Sequence, residues 1–235
     1  MPLRDRKRPD HDGSLFTLIN RSRLLFTDLP EIHRRRQTGA YSEIFNTDTR
    51  AKRPRYYLQN FHFQSGGWMT DDSAERYDTQ VEVLLNETAN AMRRQALPQL
   101  HELFAGRDQR QLRLLDIGCG TGRFLDFVKQ AWPRLHTLGL DMSDAYIRHA
   151  KRHLSERSRT SFVVSKAEAI PLPGSSQDAV TSIYLFHELP PKAANDQSKV
   201  AVKYPTLFNF RHIEQRKALF AGRIGETIVK RDYFQ

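Results

Sequence analysis

Hydrophobic and polar positions change rhythm several times along this chain, and the changes mark its elements. Residues 112–117 are apolar at Leu112, Leu114, Leu115 and Ile117, the near-continuous run of a strand covered on both faces of a parallel sheet. The run ends in Gly118, Gly120 and Gly122, after which Phe124, Phe127 and Val128 repeat at helical spacing. A second strand is predicted at residues 136–141, a helix from Ser143 through Ile147, Ala150 and Leu154, and further strands at 160–164 and 179–186. Upstream, Tyr77, Val81, Leu84 and Leu85 give an apolar stripe to a helix that Thr70 or Asp71 caps. It is expected to continue, with a brief break near Asn86, to Leu97, where Pro98 opens another turn. The alternation of strands and helices after residue 111 predicts an α/β fold.

The first part of the chain reads differently. Residues 1–13 are charged and rich in breakers, and are expected to be disordered. Residues 14–26 hold enough apolar material (Leu15, Phe16, Leu18, Ile19, Leu24, Leu25, Phe26) for a short helix or loop packed on the core. Residues 27–55 are polar and arginine-rich, and are expected to form an irregular arm. Residues 56–68 concentrate aromatics before Gly66 and Gly67. They form either a plug against the sheet or, given His62, Gln64 and Ser65 among them, a lid that excludes water from the site.

Length and charge narrow the picture. A chain of 235 residues fits one domain with an N-terminal extension. The net charge of +10 is concentrated in the first sixty residues, at positions such as Arg21, Arg23 and Arg34-Arg35-Arg36. Such clusters can bind nucleic acid, but solvated arms are commoner, so nucleic acid is the less favoured partner. Cys119 is the only cysteine, which excludes an internal disulfide and suggests a reducing, cytoplasmic location. No apolar run approaches the length of a membrane span, and no secretory signal is expected at the N-terminus. No metal site is expected.

The glycine turn carries the chemistry. A phosphate-cradling loop needs Gly-Lys-Ser/Thr, and the dinucleotide fingerprint is G-x-G-x-x-G. Here the spacing is Gly118-x-Gly120-x-Gly122, with Asp116 in front. An acid there repels a pyrophosphate but suits the ammonium of a cationic amino-acid ligand. S-adenosylmethionine has that group, carries a sulfonium and lacks phosphate.

Asp116-Ile117-Gly118-Cys119-Gly120-Thr121-Gly122 resembles motif I of the class I S-adenosylmethionine-dependent methyltransferases, in the type 11 group. The resemblance covers residues 64–192. It implies a Rossmann-like, doubly wound parallel sheet with an N-terminal helical cap, S-adenosylmethionine as cofactor, and methyl transfer to a small-molecule acceptor. It assigns Asp116, Gly118, Cys119, Gly120 and Gly122 to the methionine half of the cofactor. Asp141 takes the ribose hydroxyls and Met142 lies beside the adenine, with Ala167, Glu168 and Tyr184 also among the cofactor-binding positions. Cys119 is expected to serve as a small packing residue rather than as a catalytic thiol. Where the family places an aspartate on the adenine amino group this chain has Lys166, which cannot accept that hydrogen bond. Adenine recognition then falls to the backbone at Ala167, to Glu168 or to another group. His187 stands at the mouth of the pocket, as a general base or as a structural residue.

After residue 192 the resemblance stops: the family's Lys-Pro-Gly-Gly turn and last strands do not appear. The C-terminal strands are therefore expected to be missing or replaced. Strand four is expected to lack a partner unless residues 224–229 supply one, as in a truncated or alternatively terminated enzyme. The expected organisation is a basic arm (1–55), an aromatic lid and helical cap (56–110), the cofactor-binding half (111–192) and an atypical tail (193–235). RNA or protein methylation and a non-catalytic cofactor-binding remnant are the alternative functions.

Overall fold

Helix α1 (Leu15–Thr38) is built on a stripe that hydropathy does not show. Its buried positions are Arg21, Leu25, Asp28, Ile32 and Arg35, alternately four and three residues apart on one face. The computed structural model describes residues 15–40, 53–58, 63–185, 189, 207–210 and 219–220, the last two segments through their backbone. Within them the chain divides into two compact units, Met1–Asn90 and Ala91–Gln235.

In the first unit α1 runs through Pro30 and ends at Gly39, whose φ is +63°. The Ala40 N–H donates back to the Arg35 carbonyl at 3.0 Å, the bond that closes a glycine-terminated helix. The arm expected to be irregular from Thr27 is thus helical as far as Thr38. Its charged stripe is matched by α2 (Asp71–Leu84) and by the turn that precedes it. Arg21 Nε donates to Glu75 at 3.0 Å, and Asp28 pairs with Arg76 at 3.2 Å, both side chains almost wholly buried. Asp28 also accepts from the Ser65 N–H, while Arg35 donates to the Phe63 carbonyl and to Ser65 Oγ. Buried Gln64 donates to the Gly67 carbonyl at 2.7 Å and to Ser73 Oγ at 3.1 Å. The described end of the aromatic segment is therefore a turn held by polar bonds, with Trp68 edge-on to Tyr77 at 6.0 Å. His62 lies outside the described residues. Thr70 caps α2 as predicted, accepting from the Ser73 N–H. Asn86 and Glu87, both at positive φ, break the helix where expected. Glu82 then receives the Ala89 and Asn90 N–H groups, at the start of α3 (Ala89–Arg94).

The second unit is a sheet with helices. Its elements are α4 (Leu97–Phe104), β1 (Arg113–Ile117), α5 (Arg123–Ala131), β2 (His136–Asp141), α6 (Asp144–His153), β3 (Thr160–Val164), β4 (Ala179–Ile183), β5 (Leu207–Phe210) and β6 (Leu219–Phe220). The strand order is β3-β2-β1-β4-β5-β6, parallel throughout except for the antiparallel β6. This is the doubly wound, Rossmann-like arrangement, reversing its order at β1. Burial explains the apolar run in β1. Leu112 and Leu114 join the core formed with Leu100, Phe124, Leu125, Val128 and Ile147. Leu115 and Ile117 join Leu140, Val180 and Ala167 on the opposite face.

The expectation that β4 lacks a partner is corrected by β5, which lies parallel to it in the register Val180↔Leu207 to Ile183↔Phe210. The C-terminal strands are replaced rather than missing. The segment at 224–229, suggested as the substitute, lies outside the described residues.

Candidate functional site

The strand order reverses at β1, and in such sheets ligands sit at the carboxyl ends of the strands beside that point. The glycine turn after β1 lies at that end of the sheet. The Gly118 and Cys119 N–H groups both donate to the Leu140 carbonyl at the end of β2, at 2.7 and 3.0 Å, which folds the loop back over the sheet. Gly118 has φ of +70° and Gly122 +80°, backbone that other residues adopt only under strain. A side chain on Gly118 would run into Leu185, and one on Gly122 into Leu154 and Ala150. These two glycines are therefore required by packing, so that the chain leaving β4 and helix α6 can press against the loop.

Asp141 fixes the rest of the loop. Its Oδ2 accepts from the Gly120 N–H at 2.9 Å and its Oδ1 from the Ser143 N–H at 2.8 Å. The cap of α6 is Ser143, whose Oγ accepts from the Tyr146 N–H. Both carboxylate oxygens of Asp141 are thereby tied to the backbone of the turns around them.

Asp116 is only 1% exposed, and its Oδ1 accepts from Thr181 Oγ1 at 2.7 Å. Burial raises its carboxyl to about 7. The Thr181 bond opposes that shift, the Asp141 charge adds to it, and the Arg93 guanidinium opposes it. Arg93 is itself buried, with its guanidinium 5.4 Å from the centre of the Tyr184 ring. Tyr184, just after β4, has φ of +61°, unusual for an aromatic residue. Such strain collects at functional sites.

The methyltransferase-domain family model matches residues 114–201, which contain the glycine loop, Asp141 and the end of β4. This segment resembles the methyltransferase-domain family. Over 74 residues this chain is 35% identical to a malonyl-[acyl-carrier protein] O-methyltransferase of Methylococcus capsulatus, covering 32% of this chain and 27% of the relative. Over 84 residues it is 37% identical to the ubiquinone/menaquinone biosynthesis C-methyltransferase UbiE of Methylobacterium nodulans, covering 34% of this chain and 33% of the relative. The chain thus spans about a third or less of the length of these curated relatives. Among solved structures it is similar to the PH0226 protein from Pyrococcus horikoshii OT3, at 20% identity and TM-score 0.44, over 73% of this chain and 64% of that one. It is also similar to PKMT2 from Rickettsia typhi in complex with AdoHcy, at 19% identity and TM-score 0.42, over 48% and 24% of the two chains.

Within the matched segment the residues singled out in the sequence fall into two tiers. Gly118, Gly120, Asp141, Met142, Glu168 and Tyr184 are half-buried, while Asp116, Cys119, Gly122 and Ala167 lie beneath the surface. Burial pushes the Cys119 thiol well above its ordinary pKa, aided by the charges of Asp141 and Asp116, so it is a protonated packing group. Its sulfur lies where a side chain on Gly139 would go. The Ala167 side chain belongs to the core under β1. Lys166 is exposed, in a turn that Ser165 Oγ closes on the Ala169 carbonyl at 2.8 Å. His187 lies outside the described residues. Thr181 and Arg93 escaped the sequence reading. The register Asp116↔Thr181 puts that hydroxyl beside the acid, and no local motif announces a pairing between distant strands.

Proposed function

We propose that this chain is an S-adenosylmethionine-dependent methyltransferase acting on a small-molecule acceptor. The observation that carries the reading is the Asp141 carboxylate bound to the Gly120 N–H beside buried Asp116, at the point where the strand order reverses. The family match and the matched relatives' names, an O-methyltransferase and a C-methyltransferase, support methyl transfer. The residues present suit the cofactor. When bound, S-adenosylmethionine supplies an electrophilic methyl carbon on its sulfonium.

In this reading Asp116 gives up its proton and holds negative charge toward the ammonium of the methionine half. Gly118 and Gly120 offer a backbone without side chains, and Cys119 and Gly122 keep that loop packed. Asp141 accepts the ribose hydroxyls, and Met142 covers the adenine. Glu168 and the Ala167 backbone stand in for the aspartate that Lys166 replaces. Tyr184 shapes the floor beside Arg93, and His187 acts as general base where the acceptor must lose a proton. A cytoplasmic location is part of the same proposal; no helix among the described residues is long and apolar enough to cross a membrane. Burial of Arg21 and Arg35 in ion pairs and hydrogen bonds removes two cations from the arm that suggested RNA.

Calorimetric titration with S-adenosylhomocysteine tests the cofactor site. Micromolar binding by the chain is expected, weakened at least about tenfold in Asp141→Asn and lost in Asp141→Ala. A folded chain that binds nothing would overturn the reading. Binding without methyl transfer to any small-molecule acceptor would leave only the non-catalytic alternative.

A further inference from the structure

Five apolar residues of α1 are exposed. Phe16 is 77% exposed, Phe26 65% and Ile19 57%, and Leu15 and Leu29 are exposed with them. Leu15, Ile19, Phe26 and Leu29 recur four, seven and three residues apart, so they share one side of the helix, with Phe16 at its margin. The buried stripe of Arg21, Leu25, Asp28, Ile32 and Arg35 occupies another side. The helix is therefore amphipathic in reverse: charges face inward, where α2 and its preceding turn satisfy them, and large apolar groups face outward over about 21 Å. A contiguous stripe of this kind marks a contact surface rather than ordinary surface scatter.

Charge selects the occupant. Arg23 lies between Ile19 and Phe26 in sequence, and Arg34 and Arg36 follow Leu29; all three are exposed. The helix has two acids. Asp28 is buried against Arg76, and Glu31 is held by Arg34 at 2.7 Å. The outward side is thus an apolar strip with basic residues along it and a net positive charge, on a chain whose net charge is +10. An opposing surface must be apolar at depth and anionic at its edge. A bilayer containing anionic lipid meets both requirements, the acyl boundary taking the phenylalanines and the headgroups the arginines.

We propose that α1 docks this chain onto an anionic membrane surface, lying in the interface along Leu15, Phe16, Ile19, Phe26 and Leu29 with Arg23 and Arg36 at the headgroups. The proposal is independent of the methyl-transfer reading.

The test is flotation of the full chain with phosphatidylcholine vesicles and with vesicles that also contain phosphatidylglycerol. Expected is binding to the phosphatidylglycerol vesicles, reduced in high salt and reduced again on neutral vesicles. The variant with Phe16→Glu and Phe26→Glu should bind at least about tenfold more weakly, with unchanged helicity and thermal midpoint because both side chains are exposed. Arg23→Gln with Arg36→Gln should erase the preference for anionic vesicles while leaving the fold intact. Wild-type protein that fails to float, or a phenylalanine variant that floats equally well, overturns the proposal. So does a self-associating wild type that ignores vesicles and becomes monomeric in the phenylalanine variant, which would assign the stripe to a second copy.

Discussion

Asp116 carries a proton that the unfolded chain would give up near pH 4, because burial holds its folded pKa at about 7. Folding therefore binds a proton between those values. The contribution of this group to stability falls as pH rises from about 4 to about 7, and the penalty is complete above that. Asp116→Asn removes the penalty. The ligand-free variant should be more stable than wild type by about 1–3 kcal/mol at pH 8, with the difference vanishing below about pH 4. Chemical denaturation of both proteins across that range checks it. The same variant should lose S-adenosylhomocysteine binding. A residue whose replacement stabilises the fold and abolishes binding is held for function against its own folding interest, a trade expected at binding sites.

At the scale of elements, the pairing of α1 with α2 rests on charge. Replacing one partner of the Asp28–Arg76 pair, as in Arg76→Met, leaves a buried carboxylate uncompensated and should cost about 3–5 kcal/mol in denaturant unfolding. Replacing both with leucine should cost less than the sum of the single changes. This pairing also explains which elements the sequence revealed. The strands around the glycine turn announced themselves because both faces of the sheet are covered, so β1 carries Leu114, Leu115 and Ile117 and β4 carries Ala179, Val180 and Ile183. The cap at Thr70 is a local hydrogen bond between residues three apart, and it too was readable. Helix α1 was legible only as a short helix or loop over residues 14–26, because three of its five buried positions are charged while its phenylalanines face outward. A reading that equates apolar with buried places that helix backward. In the site, Gly118, Gly120 and Asp141 were legible from spacing within one βαβ unit. Thr181 and Arg93 reach Asp116 only through tertiary folding.

At the scale of the whole molecule, the sheet continues past β4 because β5 supplies backbone partners on one side of it and meets β6 on the other. Asn209→Pro removes an N–H from a strand flanked on both sides and should destabilise the sheet by about 3 kcal/mol. Hydrogen exchange at Thr181, Ser182 and Ile183 should accelerate while the β1–β2 amides remain protected, a regional effect that measures how far β4 depends on its replacement neighbour.

The same topology has a consequence in time. Everything from β1 to β4 emerges from the ribosome before Leu207 does. At about 5–20 residues per second, the open side of β4 waits roughly one to five seconds for its partner. During that interval the growing chain carries a half-finished sheet with a bare border, and whatever shields it then is as much a part of making this protein as the four residues that finally close it.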